Sequence, residues 1–206
     1  MGTVARRGRE KELFRSKVLE AAKELIAESG YEELTIRKIA EKIEYSPMSI
    51  YGHFENKHDI LLALAREGFL RLVKALPKPG SAEPLDLLRK AMLQYIAFGL
   101  KNQQEYEVLF LMRRARDGLQ SRDASSEANI PNEAGGQTAF RVLLQYVDAG
   151  LEAGLLRGQR FEIAKVLWAG AHGCVSLQLT QPGFPFGPSR VFAQAVVDTL
   201  LAGVRA

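Results

Sequence analysis

Within residues 34–57, Thr35, Ser46, Ser49, Tyr51, His53 and Lys57 supply three aliphatic hydroxyls, a phenol, an imidazole and an ammonium in close order. Those groups suit hydrogen bonding to phosphates and base edges better than bond breaking. A helix entering the DNA major groove needs first-turn residues that reach base edges and neighbours that hold it by the phosphates. Ser49 can donate or accept at a base edge, and the ring of Pro47 and the methyl of Met48 suit a thymine methyl. Tyr51, His53 and Lys57 project from the far side toward backbone oxygens. Thr35 and Ser46, each at a helix N-terminus, are natural phosphate ligands. Singly, each has a plain structural reading: Thr35, Ser46 and Asn56 as helix caps, Tyr51 and Phe54 as core aromatics, His53 as an ordinary histidine. The signal lies in their fixed order.

Helical periodicity supplies the elements that must position these groups. Phe14, Val18, Ala22, Leu25 and Ile26 make one apolar stripe over residues 10–29, closed by Gly30 in a left-handed position with Tyr31 folding back on Ile26. Thr35 caps a second helix, stapled by Leu34 and Ile39. It buries Ile36, Ile39, Ala40 and Ile43. Ser46 caps a third helix with Pro47 at its first position. Asn56 caps a fourth that runs to about Leu76. Beyond Pro77–Ser81, helices are expected at 84–101, 105–117, 138–153, 162–180 and 189–204, with 118–134 a mobile loop. The 84–101 helix is apolar nearly all round and should be central. No segment has a convincing strand pattern, so the fold is expected to be all-α.

The composition fits one folded domain or a small domain fused to a larger one: 206 residues, 47% hydrophobic and 25% charged. The net charge of +4 is unevenly placed. Residues 1–17 hold six basic and two acidic side chains, whereas 18–58 hold five basic and eight acidic ones. The helix-turn-helix is thus no basic patch, and the arm before it reads either as a source of phosphate contacts or as a solvated terminus. Cys174 is the single cysteine, which excludes a disulfide framework and a cysteine-built zinc cage. The start lacks the apolar run of a signal peptide, and no stretch of 18 apolar residues could span a bilayer. A cytoplasmic protein without metal or cofactor is expected. No phosphate loop, dinucleotide fingerprint, His-Glu-x-x-His or elbow serine supports an enzyme.

Residues 10–60 resemble the DNA-binding domain of the tetracycline-repressor (TetR) family. The matching residues are the first helix ending at Gly30, Leu34-Thr-Ile-Arg-Lys-Ile-Ala40, Ser46, Ser49-Ile-Tyr51, His53-Phe54 and Asn56-Lys57. The resemblance implies a helix-turn-helix domain over 1–57, joined by a fourth helix to a helical ligand-binding and dimerisation domain over 58–206. It also implies a homodimer on palindromic double-stranded operator DNA, most often a repressor, released by a small-molecule effector. Thr35, Arg37, Ser46, Pro47, Met48, Ser49, Tyr51, His53 and Lys57 are the positions it assigns to DNA. Two residues depart from the family pattern: Glu44 stands where the turn usually has glycine, and Tyr45 replaces a small apolar residue.

Residues 150–180 are similar to a TetR C-terminal subclass marked by Trp168, His172 and Gly173. Trp168 and His172, four apart, share a helix face. His172 is open to three roles: bonding a ligand, ordering a neighbouring helix, or serving as a satisfied core residue. With them, Met92, Tyr95, Phe110, Met112, Phe140 and Tyr146 are candidates for an apolar effector pocket between helices, against the plainer reading of ordinary core. Gly170 and Gly173 are expected to permit close helix approach. The row Ala195, Thr199, Gly203 on the last helix would let two copies pack as a four-helix interface.

Overall fold

A computed structural model describes residues 2–78, 80, 83–111 and 136–206. These form helices α1 (Gly2–Ser29), α2 (Ile36–Ile43), α3 (Pro47–Tyr51), α4 (Lys57–Ala75), α5 (Pro84–Lys101), α6 (Gln103–Tyr106), α7 (Gly136–Glu152), α8 (Arg160–Thr180) and α9 (Ser189–Val204). Among the described residues there is no strand, only an isolated bridge between Leu156 and Arg205. The architecture is all-α, as expected. No helix among these residues is long and apolar enough to cross a membrane. The expected loop at 118–134 lies outside the described residues.

The chain divides into two compact units, Met1–Glu67 and Gly68–Ala206, so the division falls inside α4. In the first unit α1 packs on α2 and α2 on α3. Val18, Ala22, Ile39, Ala40, Ile50 and Phe54 form its dry centre, each no more than 1% exposed. α1 begins well before the expected residue 10, because the arm continues the same helix. At its end, Gly30 (φ 81°) donates its N–H to the Ile26 carbonyl at 2.8 Å.

The second unit is built around α5, which packs against α7, α8 and α9, and α8 packs along α9. Leu88, Ile96, Leu144, Val147, Leu167 and Val175 are essentially unexposed. Bidentate ion pairs join Arg89 to Asp198 (2.6 and 3.0 Å) and Arg160 to Asp148 (2.5 and 2.9 Å). Two glycines set helix spacing. A Cβ on Gly99 of α5 would lie 2.7 Å from Val175 and 2.8 Å from the Tyr106 ring, and one on Gly170 of α8 would lie 2.4 Å from Leu200 of α9. Gly173 has open space at that position, so it sets no spacing within the unit, contrary to expectation.

The helix expected at 105–117 starts differently. α5 is capped by Asn102, whose side-chain amide donates to the Phe98 carbonyl at 2.8 Å. One α-turn follows, then a π-helical turn at Glu107–Leu111. Such widened turns recur at functional sites. Met112 lies outside the described residues.

Candidate functional site

The helix-turn-helix is held by side-chain caps. Thr35 accepts the Lys38 N–H at 3.1 Å, and Ser46 accepts the Ser49 N–H at 3.2 Å. Asn56 accepts the Asp59 N–H at 3.0 Å, while Asp59 reaches back to the Glu55 N–H at 3.3 Å. α2 closes through the Tyr45 N–H bonding the Ala40 carbonyl (3.0 Å) and the Glu44 N–H bonding that of Glu41 (3.2 Å). This Schellman pattern needs a left-handed residue, and Glu44 occupies it at φ 60° and ψ 42°. Among the described residues it is the sole non-glycine with positive φ. The turn therefore keeps the shape glycine would give it, at a cost of roughly 1 kcal/mol.

Of the residues expected at DNA, Thr35, Arg37, Ser46, Pro47, Met48 and Tyr51 are exposed, Met48 at 77%. Ile50 and Phe54 turn inward and are buried. α3 thus presents Pro47 and Met48 outward on its first turn, as a reading helix requires. Ser49 is half-buried, with its hydroxyl 3.0 Å from that of Ser46. Arg37 pairs with Glu41 at 3.0 Å, an exposed link worth little. Lys57 is half-buried and donates to the Glu32 carbonyl at 2.8 Å, tying the start of α4 to the α1–α2 connection. Its ammonium has further donors for another acceptor. Burial lowers its pKa, the Glu32 and Glu33 charges opposing.

Sequence reasoning missed how α1 clamps this motif. The Phe14 ring lies 5.0 Å from Tyr45, edge-on, and 4.6 Å from His53. Arg15 stands 4.1 Å over the Phe54 ring and donates to the His53 carbonyl at 2.5 Å. Lys17 sits 4.8 Å over Tyr45. Phe14 was legible only as one member of a core stripe, because nothing local says that Tyr45 and His53 converge on it. His53 packs on Phe14 while part of its ring stays accessible, and its Nδ1 is buried without a partner among the described residues. Its pKa is lowered by that burial and by the Lys11 and Arg15 charges. Part of the acidic excess is paired with lysines: Lys42 binds Glu24 and Glu28 (3.0 and 2.8 Å), and Lys23 binds Glu20 and Glu67 (3.3 and 2.9 Å).

In the second unit, Tyr95, Phe110, Phe140, Trp168 and His172 come together, joined by Tyr106. The Tyr106 hydroxyl is 2.5 Å from His172 Nδ1 and 3.2 Å from that of Tyr95. The Phe110 ring lies 4.7 Å from Tyr106 and 5.2 Å from His172, and Trp168 lies 5.9 Å from both His172 and Phe140. Burial pushes the Tyr95 hydroxyl up to about 12 and that of Tyr106 higher still, while it lowers His172. At neutral pH the cluster is uncharged. The sequence holds no local sign of Tyr106's part, since Tyr95 and Tyr106 meet only after the chain reverses at Asn102. Met92 and Tyr146 are core residues, 3% and 1% exposed. The Tyr146 hydroxyl donates to the Pro77 carbonyl. α4 also touches this region, through Phe69 edge-on to Phe110 at 5.2 Å and Arg71 at 2.6 Å from Glu105.

Residues 18–64 match the family described as bacterial regulatory proteins, tetR family, and residues 88–201 match the tetracyclin repressor-like C-terminal domain. Over 69 residues the chain is 38% identical to the HTH-type transcriptional repressor AcnR of Corynebacterium diphtheriae, covering 34% of this chain and 36% of that one. The chain thus spans little more than a third of that relative. It is 26% identical over 151 residues to the HTH-type transcriptional repressor Rv1474c of Mycobacterium tuberculosis, covering 69% and 81% of the two chains. A solved Rhodococcus protein of unknown function has the same fold, at TM-score 0.74 and 22% identity, covering 93% of this chain and 95% of its own. With its helix-turn-helix and more than half of its length matched in this way, the chain belongs to the TetR family of bacterial regulatory proteins.

Proposed function

We propose that this protein is a homodimeric transcriptional repressor that binds a palindromic operator through α3 and is released by a small, largely apolar effector. The observation that carries the DNA reading is the capped α3, with Pro47 and Met48 exposed on its first turn while Ile50 and Phe54 anchor it from below. In this reading Pro47, Met48 and Ser49 meet base edges. Thr35 and Ser46 hold phosphates at helix N-termini, and Arg37, Tyr51, His53 and Lys57 lie along the backbone. The relatives' description as repressors supports the direction of control. The functional division follows Lys57, with the DNA-binding domain before 58 and the effector and dimerisation domain after it.

A palindrome calls for a two-fold axis. Val166, Ala169 and Leu177 on α8 and Val191, Ala195, Thr199 and Gly203 on α9 are exposed in the single chain. We assign that face to the second protomer. The effector site is assigned to the cluster of Tyr95, Tyr106, Phe110, Trp168 and His172, and the pairing of Trp168 with His172 and Gly173 favours the subclass carrying that signature. Phe69 and Arg71 give α4 a direct hold on the cluster, so an effector that shifts Phe110 or Glu105 would move α4. It can release DNA only as far as it prefers the shifted state. A gel shift with the DNA flanking the protein's own coding region tests the reading. Retardation that survives excess scrambled duplex supports it, and equal binding to both duplexes refutes it.

A further inference from the structure

The positive charge of the chain is confined to one place. Residues 1–17 carry six basic and two acidic side chains, which leaves 22 of each sign for the rest, so the whole net charge of +4 lies in that stretch. It is helical, being the start of α1, and residues 6–13 are all exposed, Leu13 at 70%. A Cβ on Gly8 would meet nothing within 4 Å. These eight residues continue the helix for about 12 Å before Phe14. Arg6-Arg-Gly-Arg-Glu-Lys-Glu-Leu13 has one large apolar side chain, so neither core burial nor an apolar membrane-binding face accounts for it.

The base of this arm is fixed beside the reading helix. Phe14 packs on Tyr45 and His53, the residues that bracket α3 in the chain. The Arg15 guanidinium donates to the His53 carbonyl at 2.5 Å, and the Lys17 ammonium lies 4.8 Å over the Tyr45 ring. At 3.6 residues per turn, Arg7 and Lys11, seven and three residues before Phe14, fall on the same side of α1 as that ring. Arg9, two residues from each, falls on the opposite side. Glu10, also toward the Phe14 side, is engaged by Arg6 at 2.8 Å. The side of the arm that continues the packed face is therefore cationic, and it starts two residues past the exposed Tyr51.

We infer that the first turns of α1 are a second DNA-contacting element, in which Arg7 and Lys11 hold phosphates of the duplex beside the bases met by α3. This rests on the reading of α3 as a DNA-binding helix. The partner follows from charge and continuity: a duplex lying on α3 presents about one negative charge per 1.7 Å of its axis, and the arm holds the chain's excess cations at that edge.

Fluorescence anisotropy of labelled operator with the full-length protein, at about 50 to 200 mM salt, tests it. Arg7→Gln combined with Lys11→Gln should lower the salt slope by roughly two units, one for each contact removed. Base preference should stay the same, because phosphate contacts carry no sequence information. Arg9→Gln removes a charge from the same arm on its opposite side and should change the slope by less than about half a unit. Thermal melts establish folding, and Arg7→Gln alone, at roughly one unit, carries the test if the double variant does not fold. An unchanged slope in the double variant would overturn the inference and leave a solvated extension. An equal loss per charge from Arg9→Gln, or a shifted base preference, would overturn it too. In each of those cases operator binding by the wild type leaves the reading of α3 standing. A wild-type protein that binds no operator removes that reading, and the inference with it.

Discussion

At the scale of single residues, two positions carry a measurable penalty. Glu44 holds a left-handed conformation that glycine adopts freely. Glu44→Gly should stabilise the first unit, the relief of strain partly offset by the extra freedom of the unfolded chain. A net gain of about 0.5–1 kcal/mol in urea unfolding is expected, with operator binding unchanged. Histidine burial gives the second. His53 and His172 both fall below the ordinary 6.5, chiefly through burial, with Lys11 and Arg15 adding to the effect at His53. As pH drops, the unfolded chain takes up protons first, so stability falls as the pH moves below 6.5. Melting temperature should be level above that point and decline toward pH 5. The Arg89–Asp198 pair enters later, because its depressed carboxylate loses stability only as the pH falls below 3.8. His172→Phe should flatten part of the earlier decline.

At the scale of elements, the α5–α8 contact depends on Gly99. Its missing Cβ leaves room for Val175 and the Tyr106 ring, both at most 1% exposed and unable to swing away. Gly99→Ala should destabilise the second unit by roughly 1–3 kcal/mol, the usual cost of overpacking, despite alanine's better helix propensity. It should also disturb Trp168 emission through the Tyr106–His172 link. Lys57 works at this scale too. Lys57→Ala removes its bond to the Glu32 carbonyl as well as a phosphate contact, so it should lower the melting temperature of the first unit. It should also reduce the salt slope of DNA binding by roughly one unit.

Helices and caps were legible in the sequence because they rest on local chemistry. Thr35, Ser46 and Asn56 announce their roles within four residues, and the stripes of α2 and α5 announce their buried faces. The left-handed turn at Glu44 was legible as a place for glycine. What the sequence hid depends on convergence across distance. Phe14 meets Tyr45 and His53 from 31 and 39 residues away, and Tyr106 meets His172 across 66. No period or spacing encodes such meetings. The π-helical turn was likewise invisible, since its sequence reads as an ordinary apolar helix.

At the scale of the whole molecule, α3 is proposed to read base edges through Pro47, Met48 and Ser49. The companion expectation is a dimer in solution, which sedimentation at micromolar concentration checks. A stable monomer that still bound a palindrome tightly would contradict it. The direct test of the claim is an affinity survey over single-base variants of the operator for the wild-type protein and Met48→Ala, at fixed salt. Two symmetric half-sites about 34–36 Å apart, or a helical-turn multiple of that, are expected. Met48→Ala should relax preference at one base position in each half-site while affinity for unrelated DNA stays the same. An unchanged base preference, with affinity lost equally for every sequence, would contradict it.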